Sequence, residues 1–322
     1  MKVVVLIPCL NEAETLPLVL HSIPKKIAGV DAVEVLIVDD GSTDDTIAVA
    51  KQHGVKHILR HPRTQGLARG FRDGTNRALE LGADIIVNTD GDNQYPQERI
   101  PDLVRPILEG QADIVIADRQ VHKIAHFSPA KKLMQKLGTK ILNLAAGTDV
   151  PDAPSGFRAY SKESIMRLNV VTNFSYAMET IIQAGNKRMA IVSVPVETNP
   201  KTRESRLFKS PWEHVRKSGM AIIRAFVMYR PWVIFVTLGF ILLAAGAVPF
   251  ARYSYFFLLG EQHGARHLQS LIGGSVLLIA SFISFTLGII ADLIRINRSL
   301  IEDTLEQAKH SRYNAHVKEV KR

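Results

Sequence analysis

Cysteine is almost absent from this 322-residue sequence: Cys9 is the only one, which excludes an internal disulfide framework and any cysteine-built zinc site. A chain without disulfides suits a reducing cytoplasmic environment, and nothing in it supports redox chemistry. Two further absences narrow the nucleotide chemistry. No GxGxxG or GxxxxGK[ST] run occurs, so the dinucleotide and P-loop fingerprints are missing. No basic patch interleaved with aromatics stands out, and no nucleic-acid partner is expected. The opening Met1-Lys2-Val3-Val4-Val5-Leu6-Ile7-Pro8 lacks a small-residue cleavage site and is too short to span a bilayer, so it reads as a buried strand.

What is present begins with an uneven charge. The formal net charge is +9. Eight Lys/Arg stand against two acidic residues between Lys201 and Arg230, immediately before the first long apolar run. That placement favours membrane headgroups and phosphate ligands, with ordinary solubilising charge as the alternative.

Two runs carry no formal charge: 21 residues from Pro231 to Ala251 and 24 from Leu268 to Ala291. At about 1.5 Å per residue, each is long enough for a hydrocarbon layer of about 30 Å. Trp232, Tyr253 and Tyr255 stand at run ends, where amphipathic rings favour the interface. Arg224, Arg230, Arg295 and Arg298 flank the pair, whereas the connection holds Arg252, Arg266 and Glu261, a bias that places both termini in the cytoplasm. Trp212, Val215, Met220, Ile222, Ile223, Phe226 and Val227 fall at approximately helical spacing beside Arg216, Lys217 and Arg224, which predicts a helix along the membrane interface, with an ordinary helix packed on the front domain as the alternative. The expected organisation is a front domain over 1–209, an interfacial helix over 210–230, a transmembrane hairpin over 231–292 and a cytoplasmic tail over 293–322.

The front domain alternates apolar runs, polar turns and helical patterns. Buried strands are predicted at Val3–Ile7, Val33–Val38, Ile85–Val87 and Ile114–Ala117, with helices near 12–22, 44–52, 67–81 and 97–109. The fold class is therefore α/β, with an open, mostly parallel sheet. Asn11 with Glu14 and Ser42 with Asp45 have capping-box spacing and predict two helix starts. Both follow strands, which puts their turns on the carboxyl edge where open α/β sheets bind ligands.

Three turns carry candidate chemistry. Asp39-Asp40-Gly41-Ser42 offers two carboxylates for ribose, a base edge or a metal; Asp39 is the stronger functional candidate, and Asp40 is equally consistent with a turn role. Thr89-Asp90-Gly91-Asp92-Asn93-Gln94 places alternating carboxylates where they can converge on Mg²⁺ or Mn²⁺ bound to a pyrophosphate. Gly66-Leu67-Ala68-Arg69-Gly70-Phe71-Arg72 opens a helix able to receive an anion, with Arg69 and Arg72 on phosphate or facing solvent.

These turns, together with Ile7-Pro8-Cys9-Leu10-Asn11-Glu12, Tyr95-Pro96, Asp152-Ala153-Pro154-Ser155-Gly156-Phe157-Arg158 and Tyr176 to Glu179, resemble the family 2 glycosyltransferases of GT-A fold. Specifically, they resemble the polyprenyl-phosphate hexosyltransferases, the group that includes dolichyl-phosphate mannose synthase. The resemblance covers about residues 3–230 and implies a nucleotide diphosphate sugar donor, a polyprenyl or dolichyl phosphate acceptor and a Mg²⁺ or Mn²⁺ cofactor. It implies that Pro8, Asn11, Glu12 and Asp39 line the nucleoside pocket, that Asp90 and Asp92 meet the diphosphate through the metal, and that Gln94 lies near the donor. Gly91 replaces the alanine more common between the aspartates.

Asp92, Asp152 and Arg158 are the expected catalytic residues. Asp152 is assigned to sugar orientation or proton handling and Arg158 to phosphate binding or loop anchoring, with a buried structural ion pair as the alternative. Glu179 is assigned to the acceptor side or to a helix-surface salt bridge, and Lys201, Arg203, Arg206 and Lys209 to the acceptor phosphate. A phosphate acceptor with a second pKa of about 6 is largely dianionic at neutral pH, so no strong general base is required. A processive polysaccharide synthase is the nearest alternative, but no QxxRW run is present; a membrane scaffold that has lost catalysis is another. GDP-mannose, UDP-glucose and UDP-N-acetylglucosamine are all candidate donors, and a homo-oligomer is compatible with the sequence.

Overall fold

The computed structural model describes residues 1–121, 129–171, 176–200, 220, 231–259 and 264–320. The chain forms two units, Met1–Ile222 with Glu302–Arg322, and Ile223–Ile301. The predicted interfacial helix over 210–230 and the basic quartet Lys201, Arg203, Arg206 and Lys209 lie outside the described residues, Met220 excepted.

The first unit is built on seven strands: β1 (Lys2–Cys9), β2 (Ala32–Asp39), β3 (His57–Arg60), β4 (Ile85–Asn88), β5 (Ile114–Asp118), β6 (Arg158–Ser161) and β7 (Ile191–Pro195). Their order is β3-β2-β1-β4-β6-β5-β7. All pairings are parallel except those of β6, which runs against both β4 and β5. This is a GT-A-like mixed, mostly parallel sheet. Val3 through Ile7 are fully buried, as expected of a central strand covered on both faces.

Helices α1 (Leu16–Ser22), α2 (Thr46–Gln52), α3 (Leu67–Glu80), α4 (Ile100–Leu108), α5 (Pro129–Ala146), α6 (Lys162–Arg167) and α7 (Tyr176–Asn186) connect the strands. α3 approaches the sheet so closely that a Cβ at Gly74 would meet Leu6 at 2.5 Å and Val38 at 2.8 Å. Glycine is required there by contact with the sheet.

The two predicted capping boxes do not form. α1 starts after Thr15 and α2 after Asp45, and neither cap residue makes a side-chain hydrogen bond to its helix. The supposed capping groups join the two loops instead. Asn11 Oδ1 accepts from the Thr43 N–H at 2.8 Å, and Ser42 Oγ accepts from the Asn11 N–H at 2.9 Å. Asn11 adopts a φ of 57°, a left-handed conformation that Asn tolerates better than most residues and that turns its side chain out of capping geometry.

The second unit holds α8 (Pro231–Leu258) and most of the apolar part of α9 (Gly264–Val320). Both helices are long and apolar enough to cross a membrane, with mean hydropathy of 2.4 and 2.3 over their most apolar windows. They meet through small residues. Ser281 Oγ donates to Gly239 O and Ser284 Oγ to Phe235 O, each at 2.8 Å, and a Cβ at Gly246 would lie 3.0 Å from Gly274 O. Close backbone approach and polar bridging are how helices associate where lipid removes the hydrophobic drive.

Candidate active site

Parallel pairing brings the ends of β1, β2 and β4 to one edge, with Cys9 opposite Asp39 and Leu6 opposite Asn88. Asp39 is fully buried there. Its Oδ1 accepts from the Ser42 N–H at 3.2 Å, whereas Oδ2 makes no protein hydrogen bond; the largely exposed Arg60 has Nε 3.4 Å away. A buried carboxylate oxygen left in this state suits a ligand hydroxyl or base N–H. Asp40 is spent on structure: Oδ1 takes His61 Nδ1 and the Gln65 N–H, and Oδ2 the Gly66 N–H, all at 2.8 Å. It thereby holds Gly66, whose φ of 95° opens α3. Arg69 and Arg72 both pair with Asp73, at 2.7 and 3.5 Å.

Glu12 is buried beside the aspartate loop. Its Oε2 accepts from Thr15 Oγ1 at 3.0 Å, and the same hydroxyl lies 2.8 Å from Gly91 O. A Cβ at Gly91 would stand 3.2 Å from Cys9 Sγ, 3.3 Å from Glu12 Cγ and 3.4 Å from Pro8 O, so the departure from alanine relieves a crowded contact with β1. Burial, reinforced by Glu12 and Asp39, pushes the Cys9 thiol well up, which makes it an inert core group.

Asp90 and Asp92 are both partly exposed, and Asp92 Oδ1 accepts from the Gln94 N–H at 3.2 Å. The loop preceding β6 closes on Asp90: a Cβ at Gly156 would be 3.1 and 3.2 Å from its carboxylate oxygens. Tyr95 Oη accepts from the Gly156 N–H at 2.9 Å, and Asn88 Nδ2 donates to Gly156 O and Tyr176 Oη at 2.8 Å each. Tyr176 in turn stacks on Phe71, with centroids 4.0 Å apart. Burial pushes both phenols up, and Asp90 adds to the effect. The loop is thus fixed by neutral hydroxyls next to a carboxylate. Hard oxygen donors of this kind fit Mg²⁺ or Mn²⁺, and two of them leave coordination positions for diphosphate oxygens and water.

Asp152 is buried and bound bidentately by Arg119, whose Nε and Nη2 reach its two oxygens at 2.6 and 2.9 Å. The Arg119 N–H and Gln135 Nε2 add bonds at 3.1 and 3.3 Å. Burial alone would lower the Arg119 pKa, but Tyr95, Asp152 and Asp90 together raise it above its ordinary value. Arg158 is also buried. It donates to Ser155 O, Ala177 O, Thr180 Oγ1 and Ala153 O at 2.6 to 2.9 Å, which places it as an anchor between its own loop and α7. Glu179 is buried on α7 and accepts from the Val171 N–H at 3.2 Å.

Arg119 and Asn199 are residues the sequence reading did not single out. The only local signal for Arg119 is its place directly after the buried strand ending at Asp118. Asn199 bonds to the aspartate loop from beyond β7.

Two further features lie away from the predicted site residues. A cavity of about 520 Å³ opens among Pro96, Arg99, Gln120, Val196 and Asn199, and none of the predicted site residues lines it. Glu163, Glu306 and His310 bring ligand atoms within 4.8 Å of one another where α6 meets α9, with His310 Nε2 3.4 Å from Glu163 Oε1.

Residues 4–168 match the family model described as Glycosyl transferase family 2. An undecaprenyl-phosphate mannosyltransferase of Micrococcus luteus is 28% identical over 206 residues, covering 61% of this chain and 83% of that protein. A dolichol-phosphate mannosyltransferase of Pyrococcus furiosus is 32% identical over 231 residues, covering 67% of this chain and 62% of that protein. The fold is similar to that of glucosyl-3-phosphoglycerate synthase from Mycobacterium tuberculosis, solved with Mn²⁺, UDP and phosphoglyceric acid. The TM-score is 0.54 at 23% identity, over 70% of this chain and 77% of that one.

Proposed function

This chain belongs to glycosyl transferase family 2, and from that premise we propose that it transfers a hexose from a nucleotide diphosphate sugar to the phosphate of a polyprenyl or dolichyl carrier lipid at the cytoplasmic membrane face. The observation that carries the reading is the carboxyl edge itself, where the unsatisfied Asp39 Oδ2 at the end of β2 shares one rim with the Asp90-Gly91-Asp92 loop after β4. The relatives' names, both polyprenol-phosphate mannosyltransferases, support the acceptor class. Two apolar helices supply the anchor, and in this reading the Lys/Arg that flank the pair keep both termini on the cytoplasmic side.

In this mechanism Pro8, Asn11, Glu12 and Asp39 receive the nucleoside at the carboxyl edge, and Gln94 borders the donor. Asp90 and Asp92 would hold a Mg²⁺ or Mn²⁺ ion, which when bound supplies positive charge to the departing diphosphate. The acceptor phosphate oxygen forms a bond to the anomeric carbon as the bond to the nucleoside diphosphate breaks, and configuration inverts in one displacement. A phosphate dianion needs no proton removed, so Asp152 serves through orientation, holding Arg119 beside Asp90 and Tyr95. Arg158 keeps the 152–158 loop on that rim. Lys201, Arg203, Arg206 and Lys209 receive the acceptor phosphate.

The test incubates purified protein with GDP-mannose, UDP-glucose and UDP-N-acetylglucosamine in turn, a short polyprenyl phosphate, and Mn²⁺ or Mg²⁺. Mass spectrometry then identifies the lipid product. A glycosyl-phosphoryl lipid that disappears in a folded Asp92→Asn variant is expected; hydrolysis of the donor with no lipid product refutes the acceptor assignment. Arg203→Ala and Arg206→Ala are expected to raise acceptor KM by on the order of tenfold while donor KM holds. Unchanged acceptor kinetics contradict that placement.

A further inference from the structure

The segment after β7 folds back onto the aspartate loop at one residue. The Asn199 N–H donates to Gln94 O at 2.9 Å, and Asn199 Nδ2 donates to Asn93 O at 3.1 Å and Tyr95 O at 3.2 Å. Three consecutive carbonyls are therefore served by a single side chain and its own amide. The loop they belong to makes a left-handed turn at Asn93, with a φ of 59°, a conformation that Asn tolerates and that most other residues with a Cβ enter unfavourably. With the three carbonyls committed to Asn199, the peptide planes from 93 to 95 have one orientation. Asp92 inherits it, because its Oδ1 receives the Gln94 N–H.

We propose that Asn199 is a positioning residue for the cation-binding loop, holding Asp92 and Gln94 in the arrangement that a divalent ion and diphosphate require. The inference rests on the family 2 reading of Asp90 and Asp92. Asn199 lies outside every motif in the sequence, and its amide donors have the reach and polarity to satisfy two carbonyls at once, which neither aspartate nor serine can do. Pro200 alone separates it from Lys201, so the residue that fastens the donor loop directly precedes the basic stretch assigned to the acceptor.

Two measurements on full-length protein in detergent test this. In metal-free protein, amide hydrogen exchange over residues 90–96 reads the loop directly. Calorimetric titration of Mn²⁺ with saturating UDP or GDP reads its fitness for the ion. Asn199→Ala is expected to speed exchange in that loop about tenfold and weaken Mn²⁺ binding about tenfold, with a melting temperature within a few degrees of wild type. Asn199→Gln, which keeps the amide on a longer arm, is expected to recover part of both. Asn199→Ser, too short to reach either carbonyl, is read in the same way should Asn199→Ala fail to fold. Wild-type Mn²⁺ binding in Asn199→Ala, whether or not exchange accelerates, overturns the positioning role and leaves the functional reading standing. A wild-type protein that takes up no Mn²⁺ with either nucleotide overturns both.

Discussion

At the end of β2, Asp40 receives three hydrogen bonds from His61, Gln65 and Gly66, while Asp39 receives one from Ser42 and its Oδ2 makes no hydrogen bond, with the ion-paired Arg60 Nε 3.4 Å away. The division of labour follows from this count. Asp39→Asn preserves shape and removes charge, so it is expected to raise donor KM about 10- to 100-fold, the equivalent of one hydrogen bond to a charged group at about 1.5–3 kcal/mol. Steady-state kinetics and nucleotide calorimetry check it, and an unchanged donor KM counts against a nucleoside role. Arg158 belongs to a different class of residue. Arg158→Met strands the carbonyls of Ala153, Ser155 and Ala177 in a buried site, at a cost on the order of 3–5 kcal/mol. A fall in melting temperature of roughly 6–20 °C is expected; a kinetic defect with unchanged melting would instead point to a phosphate-binding arginine. The carboxylates are legible in the sequence because each follows a buried apolar run in a short turn. Their partners are not: Arg119 is 33 residues from Asp152, and Asn199 is 104 from Tyr95, separations at which no local pattern reports contact.

At the scale of elements, the strands that read clearly are those built on an apolar run, β1, β2, β4 and β5. The others hide for physical reasons. β3 is a four-residue edge strand bounded by His57 and Arg60, and β7 is the opposite edge. β6 begins with Arg158 and runs antiparallel in the middle of the sheet, where its burial comes from neighbours remote in sequence. The two helix starts were misplaced because Asn11 and Ser42 had nearby non-helical partners, which competed with capping. A related constraint sets the position of α7. A Cβ at Gly185 would stand 2.1 Å from Ala146 O at the end of α5, so the two helices cross with a backbone against a backbone. Gly185→Ala must push α7 away and is expected to destabilise the fold by about 1–3 kcal/mol, measurable by denaturant unfolding. Because Tyr176 on α7 supports Asn88 and stacks on Phe71, the same variant is expected to lower transfer activity even where it remains folded.

At the scale of the molecule, α9 continues from the second unit into the first, to which Glu302–Arg322 belongs, and its contacts there run from Glu302 to Tyr313. Lys187 faces Glu302 and Glu306 at 3.7 and 3.6 Å, Arg167 faces Glu306 at 3.7 Å, His310 faces Glu163 at 3.4 Å, Arg312 meets Glu80 at 2.7 Å, and Tyr313 is buried. In their midst Lys309 Nζ donates to Leu168 O and Asn169 Oδ1 at 2.8 Å each. The sequence shows a charged, helix-prone stretch there, but its partners lie on α3, on α6, just after α6 and just after α7, so the docking is not legible. Burial, with Lys187 adding to it and Glu306 opposing, lowers the Lys309 pKa from 10.5 to about 8. Between those two values the unfolded chain holds a proton that the folded chain has released, so stability rises with pH across that window. Below about pH 8 the lysine is charged in both states and the full cost of burying that charge is present. Lys309→Met removes this titration while leaving every other group in place. Thermal unfolding of both proteins at pH 7.5 and 9.5 is the check: wild type is expected to gain melting temperature relative to Lys309→Met on going to the higher pH. An equal pH response in the two proteins shows that the amine is not buried against the 168–169 segment and that the tail is not docked through it.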